Sequence, residues 1–456
     1  MKLKKLTLAN FRGFDQIDLD FAEDVTVIAG VNGVGKSGVL KALTSTLSLA
    51  LPKFTVSRES PLGLNDTDVQ TGKPGLSMSV TLCLDTARVI VDLTRAAPLA
   101  ADKAETLIKR RDDLRFATRE TKKGSKEEEE INDEIRLIEL QLDQAADIAG
   151  VRILPDDNAN VGDELVASLK GDSKQPLAVF YTTSRFLSRL PPTLPKTKKI
   201  DAATAYDKAL NQLEVSLNDF ANWYRIAGSV AAAASEDRLF QQLEQAITTL
   251  LPEVRNLRLH DGRPPRFSVT KSGKPLFLEQ LSDGERGLLA LVFDLTRRLA
   301  IANPYSDNPI AEGVALVLID EIELHLHPKW QRDVLQRLRD IFKACQFVVT
   351  THSPLVLGEV PARCVRFLEF VDGKVGVTVP IEAYGMDANR ILQEFMGAPV
   401  RNRQVDDELK TLFELIDQEQ FDEARAAIVD LEHKLGGDEP ELTRASSLIR
   451  FLEGAE

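Results

Sequence analysis

The segment Gly30-Val31-Asn32-Gly33-Val34-Gly35-Lys36-Ser37 constrains the fold of this chain more than any other feature. It follows a short run with the character of a buried strand, 25–29, and precedes an apolar stretch with helical spacing, 36–49. That order predicts a strand, a glycine loop and a helix in direct succession. The glycines let the backbone wrap a phosphate and approach it closely. The amides of Asn32, Gly33, Val34, Gly35, Lys36 and Ser37 would point inward, at the positive end of the helix. Lys36 would reach the β and γ phosphates of a nucleotide, and the Ser37 hydroxyl would be a Mg²⁺ ligand. An accidental glycine-rich turn is the competing reading, and the segments downstream weigh against it.

A second apolar run, 314–319, ends in Asp320-Glu321. Two carboxylates at the end of a strand would lie at the sheet edge beside the phosphate loop. Asp320 would hold Mg²⁺, directly or through water, and Glu321 would polarise an attacking water. The plain alternative is an acidic pair capping the next helix. His352 follows a further buried strand and Thr350-Thr351, which places it within reach of a γ-phosphate; the alternative is a turn histidine packed by Pro354. His325-Leu326-His327-Pro328 invites a zinc reading, but no cysteine or third histidine lies nearby in sequence, so a connector at a dimer seam is favoured. Between these segments, Leu281-Ser282-Asp283-Gly284-Glu285 opens a helix. Ser282 can hydrogen-bond a γ-phosphate and Gly284 permits a close backbone approach, although a serine N-cap explains the same residues. Such a segment is useful only against a nucleotide held by a second copy. The order of the motifs therefore predicts two heads that close around ATP.

Composition sets outer limits. A length of 456 residues implies more than one domain, or one domain with insertions. No apolar run approaches the roughly 18 residues that suggest a membrane span. Residues 1–6 carry positive charge with no apolar stretch after them, which points to the cytoplasm. Cys83, Cys345 and Cys364 are scattered without metal spacing, as suits a reducing compartment. A net charge of −13 does not favour non-specific nucleic-acid binding over the whole surface. A local basic face, such as 109–111 or 196–199, leaves DNA open as a partner.

Along the chain, 2–8 and 16–21 read as strands around a turn at 10–14, and 75–94 as two strands of a meander. Residues 104–146 are rich in Lys, Glu and Arg, with Ile131, Ile135, Ile138 and Leu142 in a coiled-coil-like seam and Leu107 and Leu114 a heptad apart. We read an antiparallel helical hairpin with a turn at Gly124-Ser125, each arm roughly 30 Å long; a solvated charged insertion is the alternative. Residues 175–181 form a strand, helices fill 205–251, and 266–270 with 276–278 form a hairpin. After Pro380 come four amphipathic helices, at 387–396, 405–417, 421–435 and 439–453. The expected domains are 1–103, 104–147, 148–385 and 386–456. The last is either an assembly or partner-docking region or a cap on the core.

Taken together, Asn10 to Phe14, Gly30 to Ser37, Leu281 to Glu285, Asp320 to Pro328 and Thr350 to Pro354 resemble the ABC-type ATPases of the RecF, SMC and OLD group. Tyr181 to Arg185, the run 320–328 and the helical tail look most like the anti-phage PtuA ATPases of Septu and retron-associated systems, with the AriA ATPases of PARIS as neighbours. The resemblance implies an α/β fold: an ABC-type head of mixed sheet and phosphate-loop core, with a helical-hairpin insertion and a helical tail. It implies a head-to-head dimer with ATP and Mg²⁺ as cofactors. Arg12 would lie near the nucleotide, Ser282 and Gly284 would act across the dimer, and His352 would sense the γ-phosphate. Gln70 is the candidate for the family's glutamine loop. Unlike the OLD nucleases, the chain has no Glu followed by Asp-x-Asp after His352, so any cutting would fall to a separate effector, an HNH or Toprim nuclease. The expected function is thus a sensor and scaffold ATPase in phage defence, with a DNA repair or recombination ATPase, or a transporter subunit, as rivals.

Overall fold

The computed structural model describes all residues except 86, 97–100, 121–130, 136–137, 139–147, 156–162, 173, 195–199, 235–236, 400, 437–438 and 455–456. The described residues form two compact units, Met1–Met386 and Asp387–Glu456.

The strands of the first unit are, in chain order, β1 (Lys2–Phe11), β2 (Phe14–Asp20), β3 (Val25–Gly30), β4 (Gly75–Cys83), β5 (Ala87–Ala96), β6 (Ile148–Pro155) and β7 (Leu177–Tyr181). They continue with β8 (Val254–His260), β9 (Arg266–Lys271), β10 (Lys274–Phe277), β11 (Ala315–Ile319), β12 (Gln346–Thr351), β13 (Val365–Val371) and β14 (Lys374–Thr378). They make three sheets, ordered β2-β1-β4-β5-β6, β10-β9-β8 and β14-β13-β3-β12-β11-β7. In the last, β13, β3, β12, β11 and β7 run parallel, with β14 antiparallel at the edge.

The sequence patterns explain the difference between the sheets. β3, β11 and β12 are buried along their whole length, as parallel strands covered on both faces must be. β4 alternates buried and less buried positions, the mark of an antiparallel sheet with one wetter face. The Lys36–Phe54 helix packs against β3, β4 and β5. It is apolar on most sides because it lies in the core between two sheets. The result is the mixed α/β architecture expected from the sequence. Its parallel sheet turns the C-terminal ends of β3, β12, β11 and β7 toward one side, where ligand crevices form in such sheets.

Three expectations need correction or restriction. Helices do not fill 205–251. A short 3₁₀ turn, Ala202–Tyr206, is followed by loop, and helices span Leu217–Ala234 and Arg238–Leu250. The cause is a buried cation: Arg298 Nη1 donates to the carbonyls of Ala205 (2.6 Å) and Asp207 (3.1 Å), which holds them out of any helical ladder. Second, 148–171 holds two elements unforeseen in the sequence, the edge strand β6 and the helix Asp163–Gly171. Third, the hairpin's first arm is the helix Ala101–Glu120, while Gly124-Ser125, Leu142 and most of the second arm lie outside the described residues. Arg110 Nε donates to Glu134 Oε1 at 3.0 Å, a pairing across 24 residues, and Leu114 and Ile138 are buried.

The second unit has its own core. The helices Arg403–Asp417, Phe421–Leu435 and Pro440–Leu452 bury Leu409, Leu412, Ile416, Leu431, Leu442 and Ile449. Each such side chain contributes about 1.5–3 kcal/mol on burial.

Candidate functional site

The phosphate loop leaves β3 and enters the Lys36–Phe54 helix, with Gly33 and Gly35 in the left-handed region at φ +81° and +107°. Gly35 is also required sterically, because a Cβ there would lie 2.5 Å from the Phe14 ring. Lys36 folds back over the loop. Its Nζ donates to the carbonyls of Gly30 (2.8 Å) and Val31 (3.0 Å) and lies 3.3 Å from His352 Nδ1. Burial pushes the Lys36 ammonium down to about 8, against the opposing pull of Glu323, Asp320 and Glu321. Burial, and then the neighbouring Lys36, lower the His352 imidazole as well, which favours its neutral form. A neutral Nδ1 can accept from the ammonium. Asn32, Gly33 and Ser37 face solvent, and Val34 is buried.

The carboxylate turn follows β11, two strands from β3. Ser37 Oγ donates to Asp320 Oδ2 at 2.9 Å, so hydroxyl and carboxylate meet where the two strand ends face each other. Thr350 Oγ1, at the end of β12, donates to Asp320 Oδ1 (2.6 Å) and accepts from the Glu321 amide (2.8 Å). Glu321 takes a left-handed backbone, φ +48°, uncommon for a residue with a side chain. Glu323 reaches across to β12: its Oε2 accepts from Thr351 Oγ1 (2.8 Å) and its Oε1 from the His352 amide (2.5 Å). Ser37 and Asp320 offer the hard oxygen donors that suit Mg²⁺.

Residues 25–358 match the family described as "AAA domain, putative AbiEii toxin, Type IV TA system". The chain belongs to this AAA domain family. It is 27% identical over 399 residues to "Retron Ec83 probable ATPase" of Escherichia coli, covering 81% of this chain and 72% of that protein. It is 25% identical over 427 residues to "Retron Vc95 probable ATPase" of Vibrio cholerae serotype O1 biovar El Tor, covering 86% of this chain and 78% of that protein. A shorter stretch of 80 residues is 45% identical to "Septu protein PtuA" of Bacillus mycoides, covering 18% of this chain and 11% of that one. Among solved structures, a SMC head bound to the C-terminal winged-helix domain of ScpA is similar over 83% of this chain and 98% of that chain, at 14% identity and TM-score 0.47.

Within this AAA-family chain, the other sequence-predicted residues fall in two groups. Arg12 sits close to the loop. It has φ +51°, its Nε donates to Asp68 Oδ1 at 2.8 Å, and its Cδ would lie 3.7 Å from a Cβ at Gly38 in the first turn of the Lys36–Phe54 helix. Gln70 belongs to the same corner, its amide donating to the Asn10 carbonyl at 2.9 Å, and its side-chain Oε1 is buried with no hydrogen-bond partner among the described residues. Ser282 is not drawn into the cluster. It caps the Asp283–Ala302 helix in a capping box with Glu285, accepting from the Glu285 amide (3.4 Å) and donating to Glu285 Oε2 (2.8 Å). Gly284 is buried, and a Cβ there would strike the His325 carbonyl oxygen. The close approach it permits is therefore to the carboxylate turn of its own chain. His325 and His327 serve locally: the His325 ring lies 5.5 Å from that of Phe186, and His327 Nδ1 accepts from the Lys329 amide at 3.3 Å.

Three residues of the cluster carry no assigned role in the sequence reading. They are Thr350, Glu323 and Arg185. The first two stand inside motifs already recognised, where side-chain hydroxyl and carboxylate chemistry beside a strand end is a usable signal. Arg185 follows β7, and only the pairing of β7 with β11 brings it to the carboxylate turn.

Proposed function

We propose that this chain is an ABC-type ATPase that converts ATP and water to ADP and phosphate, and that two copies close around the nucleotide to do so. The observation that carries the reading is the convergence of Lys36, Ser37, Asp320 and His352 at the ends of three adjacent parallel strands. Lys36 would exchange its loop carbonyls for the β and γ phosphates of the substrate. Ser37 and Asp320 would hold Mg²⁺, which neutralises phosphate charge. Glu321 would orient and polarise the attacking water, a contribution of about 10²–10⁴-fold in rate. His352 would report the γ-phosphate through its contact with Lys36, and Ser282 and Gly284 would complete the sibling's site. The retron relatives named "probable ATPase" support the activity.

The same relatives, and the Septu protein PtuA, support a place in anti-phage defence. There the dimer would act as sensor and scaffold for a separate effector, an HNH or Toprim nuclease, in the cytoplasm. Glu321→Gln is the test: ATP should trap a dimer measurable by mass in solution, with hydrolysis slowed about 10²–10⁴-fold. Wild-type hydrolysis by that variant would contradict the assignment.

A second reading makes nucleic acid the main partner, as in repair or recombination ATPases. The basic clusters suggested by sequence do not favour it: Arg110 and Arg111 are paired with Glu134 and Asp112, and 195–199 lies outside the described residues. The β8–β9 ribbon does favour it. Arg255, Arg258, Arg263 and Arg266 are exposed there, and among the described residues none of their guanidinium groups has an ion-pair or hydrogen-bond partner, although that of Arg266 lies over the Phe277 ring at 5.1 Å. Binding that weakens steeply with salt, and weakens further in Arg258→Ala, would support this reading; no binding at low salt would end it.

A further inference from the structure

We propose that Arg185 is a positioning residue for hydrolysis: its guanidinium, tied to the carbonyls of the carboxylate turn, sets the aim of Glu321. The inference rests on the ATPase reading above. Arg185 Nη1 donates to the Asp320 carbonyl (2.7 Å), and Nη2 donates to the carbonyls of Glu321 (2.7 Å) and Ile322 (3.3 Å). Nη1 also takes the Thr182 carbonyl of its own loop at 3.4 Å. The residue is 7% exposed, and its hydrogen bonds among the described residues all go to main-chain carbonyls. Burial lowers the guanidinium to about 10, while Glu323, Asp320 and Glu321 pull it back up.

A buried cation held by main-chain oxygens is an expensive way to fix a loop. What it fixes here is a turn whose central residue, Glu321, has a left-handed backbone at φ +48°. The fork geometry of a guanidinium spans adjacent carbonyls, which the point charge of a lysine does not. Thr350 anchors the same turn from the opposite side by accepting from the Glu321 amide at 2.8 Å. The Glu321 main chain is thus gripped from both neighbouring strands, leaving its carboxylate the free end. The next residue, Phe186, packs its ring on His325, whose carbonyl abuts Gly284. One short loop therefore touches the carboxylate turn at two points, and through His325 that turn meets the segment expected to serve the sibling's site.

Displacement of a catalytic group by about 1 Å can cost 10²-fold in rate while binding is spared. Arg185→Lys and Arg185→Ala are to be measured in the full chain for steady-state ATP turnover and, separately, for affinity toward a fluorescent ATP analogue. Both should lose at least about 10-fold in kcat with affinity within about 3-fold of wild type. Added to Glu321→Gln, neither should lower single-turnover hydrolysis further, because the group being aimed is already gone. Arg185→Lys retains a buried cation of similar volume, so it answers the question if Arg185→Ala does not fold. Wild-type turnover in Arg185→Lys overturns the inference, as does a loss of affinity equal to the loss of turnover, or an additive loss beside Glu321→Gln. A wild-type chain that hydrolyses no ATP overturns the ATPase reading and this inference with it. Turnover by the wild type, matched by the variants, overturns only the inference.

Discussion

The strand-end cluster and the Leu281–Glu285 segment differ in how far one chain completes them. At the ends of three neighbouring strands, five side chains contact one another: Lys36 with His352, and Ser37 and Thr350 with Asp320. At the helix start, Ser282 is exposed, and among the described residues its hydroxyl bonds only to Glu285 of its own capping box. One region is a site with its partners in place. The other is a rigid platform, braced by Gly284 against His325, with its hydroxyl at the surface. The contrast teaches that position in a parallel sheet brings one set of side chains together within a chain, while on the proposed reading the Ser282 segment would act only against a second copy.

The largest effect expected from this contrast is on the rate. Glu321→Gln should reduce ATP hydrolysis about 10²–10⁴-fold with nucleotide affinity retained, measured by phosphate release alongside direct binding. Retained hydrolysis would remove the strand-end cluster from the chemistry. Lys36→Ala should next weaken ATP binding by about 1.5–3 kcal/mol, the range for a hydrogen bond to a charged group, measured by calorimetry. Unchanged affinity would refute the loop assignment.

A smaller effect concerns pH. With its ammonium pushed down to about 8 in the free protein, Lys36 loses its proton as pH rises through that value, while a bound triphosphate favours the protonated form. ATP affinity should therefore fall by up to about tenfold per pH unit above 8, and Lys36→Ala should flatten the dependence. A wild-type affinity unchanged between neutral pH and the high side of that window would show that Lys36 is not the contact. The smallest effect is at the other region. Ser282→Ala should cost about 1 kcal/mol in thermal or denaturant stability through the lost cap. It should also lower hydrolysis at unchanged nucleotide affinity of the isolated chain.

The fold is legible in the sequence where the signal is local. The phosphate loop, β3 and the helix after it are contiguous, and the all-apolar run of β11 with the apolar centre of β12, Phe347-Val348-Val349, announces a sheet covered on both faces. The tail helices are legible because Leu409, Leu412 and Ile416 repeat at helical spacing. The segment 205–216 is not, because its conformation answers to Arg298 on a distant helix. Burial alone would raise the Asp294 carboxyl, but Arg298 and Arg297 more than offset this and hold it ionised, so that Asp294 pairs with both arginines and accepts from Tyr181 Oη at 3.1 Å. No local pattern announces such a network. β6 escapes notice because its ladder depends on a partner, β5, more than 50 residues away. At the candidate site the same division holds. Lys36, Asp320 and His352 lie in runs with their own signature, whereas Arg185 acquires its place only through sheet order.

Mixing two variants gives the sharpest test of a nucleotide shared between copies. Lys36→Ala and Ser282→Ala, each expected to hydrolyse ATP more slowly than wild type on its own, would be combined and assayed for ATP hydrolysis at a nucleotide concentration limiting for Lys36→Ala. If Lys36 of one protomer works with Ser282 of its partner, mixed dimers contain one intact site and the mixture recovers activity. If each chain encloses its own nucleotide, no combination holds both residues in one site, and the mixture stays at the average rate of its parts.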